Sequence, residues 1–243
     1  MRAILLAAGL GTRLAPITNS IPKCLVPIFG IPLLAYWLEL LEEGGVSDVL
    51  INTHYLPDEV RKFISDHPTR LEVHLAHEET LLGTGGTILH NKSFTAGDAF
   101  FVAHADNLAA FDLRDFHKAH LARRDGVEIT MMTYDTDSPT TCGIVEVSES
   151  GIVLEFHEKV SNPPGNRANG AIYIFEPSII QFIESLDTNA PDISLDVLPH
   201  FMNRIGSYHN VRYLRDIGTI RSLRQAESEF SEVYCGKLRR SER

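Results

Sequence analysis

The sequence predicts an α/β protein built on a doubly wound, mostly parallel sheet. Strand-like and helix-like segments alternate up to about residue 135, an order that places helices on both faces of a parallel sheet. The strand candidates are rich in branched apolar residues and bounded by turn signals, as buried parallel strands are. A two-glycine loop and an aspartate follow two of these strands, at the edge where such sheets bind ligands. The candidates are residues 3–8, 48–53, 71–76, 100–105 and 127–133.

Helical segments lie between these strands. The first follows Pro32, a residue favoured in the first turn of a helix, and carries Leu34, Leu38 and Leu41 on one face. A glycine pair at 44–45 ends it. Two more helices are predicted at about 58–66 and 113–124.

The pattern changes to that of a β-hairpin beyond residue 143. Two strand-like runs, 144–147 and 152–156, flank a turn-forming segment. A strand at 171–175, a helix opened by Pro177 and a last strand at 211–214 follow. The chain then reaches Asp216 and a final helix.

Composition excludes several classes of protein. A chain of 243 residues with 44% hydrophobic and 22% charged residues suits one large globular domain. Its net charge of −10 disfavours a nucleic-acid partner, and no apolar run approaches the length of a membrane span. The first strand begins directly after Met1-Arg2, which leaves no room for a secretory signal, and three widely spaced cysteines indicate a reducing compartment. We therefore expect a cytoplasmic protein without a membrane partner, either a monomer or a homo-oligomer.

The loop after the first strand has the composition of a triphosphate site. Gly9 and Gly11 allow backbone N–H groups to approach phosphates closely, and Arg13 and Lys23 supply positive charge. A dinucleotide fingerprint would need a third glycine where this chain has Leu14, and a Walker loop would need a lysine directly after its last glycine. The alternative is a plain strand-to-helix turn, in which glycine is common for steric reasons.

Asp106 and Asp216 are candidate metal ligands. Each follows a predicted strand, so both can project over one strand-end cleft. Mg²⁺ prefers oxygen and is commonly held by one or two carboxylates together with substrate phosphates. The alternative is that Asp106 begins a turn and Asp216 caps the last helix.

These motifs resemble the signature of the sugar-1-phosphate nucleotidyltransferases, also called nucleotide-sugar pyrophosphorylases. The resemblance begins at Gly9 to Leu14 with Pro22-Lys23 and continues in the family's order to about residue 228. Two positions depart from the family's pattern: Ala105 precedes Asp106 where a glycine is usual, and Val160 stands where a proline is usual. We therefore expect one domain over residues 1–228 and a flexible basic tail over 229–243. The later matching segments are 82–86, 105–107, 158–159, 169–173 and 216–219.

The resemblance implies a Rossmann-like nucleotidyltransferase fold with an added β-hairpin sugar-binding region. The implied reaction joins a nucleoside triphosphate to a sugar 1-phosphate and releases pyrophosphate, with Mg²⁺ as cofactor. A sugar-phosphate oxygen attacks the α-phosphorus. Since the second pKa of a phosphate monoester is about 6, no general base is needed, and the protein's task is positioning and charge stabilisation.

The resemblance also assigns roles to residues. It places Arg13 and Lys23 in catalysis and Asp106 and Asp216 at magnesium. It places the sugar phosphate at Asn107, Gly143, Glu158, Lys159 and Asn169. It places the nucleotide at Leu6, Ala7, Ala8, Gly9, Gly11, Thr12, Arg13, Lys23, Glu78, Gly83, Thr84 and Gly85.

GTP with a mannose- or manno-heptose-like 1-phosphate is the expected substrate pair. His77-Glu78-Glu79 ahead of residues 82–86 resembles the short mannose/heptose-1-phosphate guanylyltransferase-like branch. Guanine also offers N–H donors that a carboxylate can accept together. Three alternatives stay open: a UTP-, dTTP- or CTP-dependent member, a catalytically silent nucleotide-sugar-binding regulator, and transfer onto a choline or polyol phosphate.

Overall fold

One nine-stranded sheet organises the molecule. The computed structural model describes the backbone of residues 1–241 and the side chains of residues 1–231. Its helices are α1 (Leu33–Glu43), α2 (Pro57–Asp66), α3 (Thr84–His90), α4 (Leu113–Leu121), α5 (Ser178–Glu184) and α6 (Ile220–Ser241). Its strands are β1 (Ala3–Leu6), β2 (Pro27–Ile28), β3 (Ile31–Pro32), β4 (Asp48–Thr53), β5 (Glu72–His77), β6 (Phe100–His104), β7 (Asn107–Ala110), β8 (Ile129–Asp135), β9 (Gly143–Val147), β10 (Val153–Glu158), β11 (Arg167–Phe175), β12 (Ile205–His209) and β13 (Tyr213–Asp216).

The centre of the sheet is parallel, and the strand order reverses at β1. β1 pairs in parallel with β4 on one side and with β6 on the other, and β5 continues beyond β4. The chain therefore completes one half of the sheet before it returns to the other. The predicted fold class, a mostly parallel central sheet with flanking helices, is confirmed. Ligands bind such sheets outside the carboxyl ends of the strands at the point of reversal, which here lies after β1 and β6.

The other half of the sheet is antiparallel and contains the predicted hairpin. β11 runs antiparallel to β6, β8 and β9, and β10 runs antiparallel to β9. β12 lies parallel to β8. Outside this sheet, β7 and β13 form an antiparallel pair of their own.

Hydrophobic cores fill both faces of the sheet. Successive side chains of a strand point to opposite faces. Accordingly, Ala3 and Leu5 lie in one cluster with α1, while Ile4 lies in the other with α3 and α5. This two-sided burial explains why the β1 sequence reads as a continuous apolar run. Among the described residues, every helix is too short or too polar to span a bilayer.

Several element boundaries differ from the sequence prediction by a few residues. β1 ends at Leu6, so residues 7 and 8 belong to the loop; α4 ends at Leu121; and β11 begins at Arg167. β11 contains a bulge, where Ala171 has a φ of +52° and the register with β8 shifts. The sequence does not predict β12, because its glycine, serine and histidine hide the strand pattern.

The domain boundary at residue 228 is too early. Helix α6 continues to Ser241, and Phe230 is buried, with its ring 5.6 Å from that of Tyr36 and 5.2 Å from that of Tyr213. Residues 229 and 230 therefore belong to the folded domain. The basic side chains beyond residue 231 and residues 242–243 lie outside the described residues, and a flexible tail there stays a prediction.

Candidate active site

The loop after β1 turns tightly over Thr18 and Lys23. Gly11 has a φ of +64°, and a Cβ atom there would lie 2.9 Å from Thr18 Cγ2 and 3.2 Å from Lys23 Cβ. The Thr18 hydroxyl donates to the Gly11 carbonyl oxygen at 2.8 Å. A Cβ at Gly9, by contrast, would meet no heavy atom of the described residues within 4 Å. The fold therefore requires glycine at position 11, whereas position 9 is open to a ligand.

Arg13 lies at the mouth of this loop. Residues Thr12–Leu14 form a single 3₁₀ turn in which Leu14 is buried and Arg13 is exposed. A Cβ placed on Gly218 would lie 3.0 Å from Arg13 Nη2 and 2.9 Å from both carboxylate oxygens of Asp216. The side chains of Arg13 and Asp216 therefore both lie close against Gly218. Leu6 and Ala8 are buried, so any contact they make with a nucleotide uses their backbone.

Lys23 joins the two candidate metal ligands. Its Nζ donates to Asp106 Oδ2 at 2.6 Å and to Asp216 Oδ1 at 3.3 Å. The antiparallel pairing of β7 with β13 sets Asp216 opposite Asn107, which brings the two aspartates together. The Lys23 side chain is 6% exposed, whereas those of Asp106 and Asp216 are 34% and 49% exposed. Two partly open carboxylates therefore converge on one buried cation.

The charges in this group shift one another's pKa. Burial lowers the pKa of Lys23, but the charges of Asp106 and Asp216 outweigh it and the net pKa is raised above its ordinary value. Burial raises the pKa of Asp106, but the charges of Lys23 and His104 outweigh it and the net pKa is lowered. Opposite charges at this distance favour the ionised forms. Near neutral pH the group therefore contains an ammonium ion and an ionised Asp106.

Glu78, predicted to contact the nucleotide, has several hydrogen-bonding partners within the chain. This side chain is buried, and its oxygens accept hydrogen bonds from Asn52 Nδ2 at 2.9 Å, Leu82 N at 3.2 Å and Thr87 Oγ1 at 2.5 Å. These hydrogen bonds hold the 82–86 segment against β4, and a nucleotide contact of Glu78 stays a prediction. The next residue, Glu79, is exposed.

The glycines of the 82–86 segment pack against a second backbone segment. Gly83 has a φ of +77°, and a Cβ there would lie 2.6 Å from the Ala190 carbonyl oxygen. The N–H groups of Gly85 and Gly86 donate to the Pro191 carbonyl oxygen at 2.8 and 3.3 Å. These glycines permit close backbone packing, and the Gly85 N–H is bonded within the chain; their nucleotide contacts stay a prediction.

Thr84 is bonded to the same second segment, and its nucleotide contact stays a prediction. Its hydroxyl donates to Asp192 Oδ2 at 3.0 Å and accepts from Ile193 N at 2.7 Å. Asp192 Oδ1 accepts from Ser194 N at 2.8 Å and Leu195 N at 3.1 Å. Asp192 thus caps the short helical turn at 193–197. The Thr84 hydroxyl fastens this turn to the start of α3.

The predicted sugar-phosphate residues Gly143, Glu158 and Lys159 lie together on the hairpin. Gly143 pairs with Glu158 across β9 and β10, and a Cβ at Gly143 would lie 2.6 Å from Glu158 Oε2. Lys159 Nζ lies 2.8 Å from Glu158 Oε1. The hydrogen bond with Glu158 raises the pKa of Lys159, and the positive charge of Arg13 acts in the opposite direction. Lys159 is therefore paired with Glu158, and the charge of Arg13 also acts on it.

The other two predicted sugar-phosphate residues have internal contacts. Asn107 is buried, and its Nδ2 donates to the Gly170 carbonyl oxygen at 3.0 Å, so we no longer expect it to contact a substrate directly. Asn169 Nδ2 donates to the Tyr173 hydroxyl at 2.7 Å, and Asn169 Oδ1 accepts from Ala171 N at 2.9 Å. Asn169 is half-buried and closes the bulge of β11.

Sequence reasoning missed three residues that hold the site together. Thr18 fixes the glycine loop, Asn52 accepts from Ala7 N at 2.6 Å and donates to Glu78, and Asp192 anchors Thr84. Asn52 had a recognisable signal, since it is a polar residue near the carboxyl end of an otherwise apolar strand. Asp192 precedes a helical turn, which is a common position for a capping aspartate. Thr18 gives no comparable signal.

Comparison with known proteins places this arrangement in a family. A family model described as "Nucleotidyl transferase" matches residues 2–232. The chain belongs to the nucleotidyl transferase family. This nucleotidyl transferase is 33% identical over 229 residues to mannose-1-phosphate guanylyltransferase 1 of Arabidopsis thaliana, and the match covers 90% of this chain and 61% of that relative. The chain therefore spans about three fifths of the length of this curated relative.

Two solved structures share the fold of this nucleotidyl transferase. HddC from Yersinia pseudotuberculosis, crystallised with GMP-PN, matches with a TM-score of 0.79 and 28% identity over 94% of this chain and 99% of that chain. A UDP-glucose pyrophosphorylase complexed with UDP-glucose matches with a TM-score of 0.80 and 21% identity over 95% of this chain and 98% of that chain. The Rossmann-like fold predicted from the motifs is confirmed.

Proposed function

We propose that this nucleotidyl transferase joins GTP to a mannose- or manno-heptose-like 1-phosphate, giving a GDP-sugar and pyrophosphate. The observation that carries the proposal is the convergence of Lys23, Asp106 and Asp216 beside the glycine loop, at the edge where the sheet order reverses. The similarity to a mannose-1-phosphate guanylyltransferase and to a structure holding a guanine nucleotide supports the choice of GTP.

The triphosphate would lie against the loop at Gly9 and Gly11. Arg13 is exposed at its mouth and Lys23 lies behind it, so the two cations can stabilise the charge that develops around the α-phosphoryl group. Preorganised charge of this kind is usually the largest catalytic contribution in phosphoryl and acyl transfer. Because a sugar 1-phosphate is already ionised near neutral pH, no side chain has to remove a proton.

Asp106 and Asp216 would hold magnesium. Both present carboxylate oxygens to a single cation in this structure, at 2.6 and 3.3 Å from Lys23 Nζ, so the pair can serve one ion. Such a donor set suits Mg²⁺, which takes one or two protein carboxylates and completes its shell with phosphates and water. When bound, the ion would neutralise phosphate charge and favour departure of pyrophosphate.

The acceptor would bind on the hairpin side of the cleft. Lys159 would contact the sugar phosphate, because its compact ammonium sits where Arg13 also contributes positive charge. Glu158 would accept hydrogen bonds from sugar hydroxyls, and Gly143 leaves the space in which its carboxylate lies. Asn169 would help to position this wall through Tyr173.

Guanine recognition falls to Glu79 in this proposal. The carboxylate of Glu78 is already bonded on both oxygens, whereas Glu79 is exposed at the end of β5. A carboxylate can accept the N1–H and N2–H₂ donors of guanine together, and UTP and CTP present no such pair. We also propose a cytoplasmic location, which the unpaired thiols of Cys24 and Cys142 support.

A pyrophosphate-release screen tests the proposal. The chain is incubated with Mg²⁺, each nucleoside triphosphate in turn, and a panel of sugar, choline and polyol phosphates. We expect the fastest release with GTP and a manno-configured sugar 1-phosphate. Preference for another nucleotide or acceptor would overturn the substrate assignment. Absence of release with every pair, despite nucleotide binding, would favour a regulatory protein.

A further inference from the structure

Lys23 contacts one oxygen of each of the two carboxylates that a metal ion would bind. Its Nζ is 2.6 Å from Asp106 Oδ2 and 3.3 Å from Asp216 Oδ1, and its side chain is 6% exposed. Arg13, the other cation nearby, approaches Asp216 from the Gly218 side and makes no hydrogen bond with either aspartate among the described residues. One cation therefore lies between the aspartates, and a second lies beside them.

An ammonium ion and a divalent cation held by the same two carboxylates would lie close to each other. Mg²⁺ binds carboxylate oxygen at about 2.0–2.1 Å, so it would come close to the Lys23 ammonium while both contacted the same carboxylates. The two positive charges would repel each other at short range. The aspartate pair carries at most two negative charges, and Lys23 already neutralises one of them.

We infer that Lys23 and a divalent cation are alternative partners of Asp106 and Asp216. The inference rests on the proposed function, which supplies the third component, a triphosphate. Its phosphates attract the Lys23 ammonium and also provide oxygens for the ion. Lys23 therefore moves from the carboxylates to the phosphates as nucleotide and metal bind together. Until then, its charge opposes binding of the metal ion by the aspartates. Without nucleotide, the protein has low affinity for the ion.

Manganese binding to the nucleotide-free chain tests this competition. Mn²⁺ accepts the same hard oxygen ligands as Mg²⁺, and its free fraction is measured by electron paramagnetic resonance. We compare the unaltered chain with Lys23→Met, which keeps the length of the side chain and removes its charge. We expect Lys23→Met to bind Mn²⁺ at least tenfold more tightly. Lys118→Met is the control, because it removes an exposed lysine charge that is paired with Asp115 on α4, and its affinity should change less than threefold.

A second change locates the ion. Two exposed groups elsewhere, Asp48 with Glu72 and His74, and Glu146 with Glu155 and His157, also bring possible ligands together. Asp106→Asn in the Lys23→Met background should therefore remove the gained affinity if the ion binds between the aspartates. Lys23→Gln repeats the test if circular dichroism shows that Lys23→Met is unfolded.

Three outcomes would overturn the inference: equal affinity of the unaltered and Lys23→Met chains, weaker binding by both neutral variants, or a gain that survives Asp106→Asn. The titration contains no nucleotide or sugar, so its result does not depend on which substrates the enzyme uses. A failed substrate screen would leave this measurement valid, and a failed titration would leave the proposed reaction standing.

Discussion

Lys23 holds a positive charge inside the protein, and two carboxylates make that burial tolerable. An unpaired buried charge is costly, and hydrogen-bonded partners of opposite charge offset much of that cost. The sequence predicts Lys23, Asp106 and Asp216 as functional residues, but it does not predict that they bind one another. Each is identified by its place after a strand or loop, while their contact depends on the β7–β13 pairing, which joins segments far apart in the chain.

A substitution at Gly218 tests whether close packing around Asp216 and Arg13 matters for catalysis. We expect Gly218→Ala to reduce kcat by roughly tenfold or more, because a Cβ there would lie 2.9 Å from the Asp216 oxygens and 3.0 Å from Arg13 Nη2; a misplacement of about 1 Å can cost 10²-fold. Steady-state kinetics and thermal unfolding provide the measurement. Gly165→Ala is the control, since its added Cβ would meet no described atom within 4 Å. Equal kinetics of the two variants would show that this packing does not matter.

Glu79 tests nucleotide choice at the level of one carboxylate. We expect Glu79→Gln to raise the KM for GTP about tenfold and to leave the KM for the sugar phosphate unchanged, since an amide cannot accept two guanine donors as a carboxylate does. The same kinetics with ITP, which lacks the 2-amino group, should show a smaller effect. If Glu79→Gln left the preference for GTP unchanged, Glu79 would not recognise the base, and the backbone of residues 82–86 would be the remaining candidate.

At the scale of elements, contacts between loops hold the site together. The start of α3 lies directly on residues 190–193, and β13 brings Asp216 to the end of β7. The family resemblance assigns Gly83, Thr84 and Gly85 to the nucleotide, and the sequence does not predict their close packing on a second segment. That packing depends on Ala190 and Pro191, which lie far away in the chain.

Substitutions at Thr84 test the packing of the start of α3 on residues 190–193. Thr84→Val keeps the shape and removes a hydroxyl that makes two hydrogen bonds, so we expect a loss of about 1–3 kcal/mol in the free energy of unfolding and a higher KM for GTP. Thr84→Ser keeps the hydroxyl and should retain most of both properties. Urea unfolding and substrate titrations measure the two effects. If the serine and valine variants behave alike, the hydroxyl does not fasten the loop.

Asp137 connects a loop to the last helix, and its ionisation makes the free energy of unfolding depend on pH. Hydrogen bonding to Arg215, which also bonds Glu229 on α6, holds the pKa of Asp137 at about 2, below its usual value of 3.8. Because the folded pKa is the lower one, the stabilisation is present above about pH 4 and is lost as the pH falls towards 2. We expect Asp137→Asn to lower the free energy of unfolding by up to about 1 kcal/mol at pH 7, since the side chain is half exposed and solvent screens the pair.

Urea unfolding of the unaltered protein and of the Asp137→Asn variant, each at pH 7 and pH 3, checks this expectation. The difference between them should be smaller at pH 3, where Asp137 of the unfolded chain is mostly protonated. A constant difference at both values would mean that the carboxylate charge does not contribute.

At the scale of the whole molecule, the sequence predicts the parallel half of the sheet better than the antiparallel half. Strands buried on both faces, such as β1 and β4, appear as apolar runs bounded by turns, and the glycine loop marks their ligand-binding edge. β12 and the early part of β11 are missed, because polar residues and a bulge interrupt their pattern. The final helix extends past the predicted boundary, since burial of Phe230 depends on Tyr36 and Tyr213 from other parts of the chain.

The central claim is that this chain transfers a guanylyl group to a sugar 1-phosphate. The most direct measurement follows GTP labelled at the α-phosphate, and separately at the γ-phosphate, in the presence of Mg²⁺ and mannose 1-phosphate or a manno-heptose 1-phosphate. We predict that the α label appears in a GDP-sugar and the γ label in pyrophosphate. The claim would be contradicted if GTP bound to the chain and neither label left the nucleotide with either sugar phosphate.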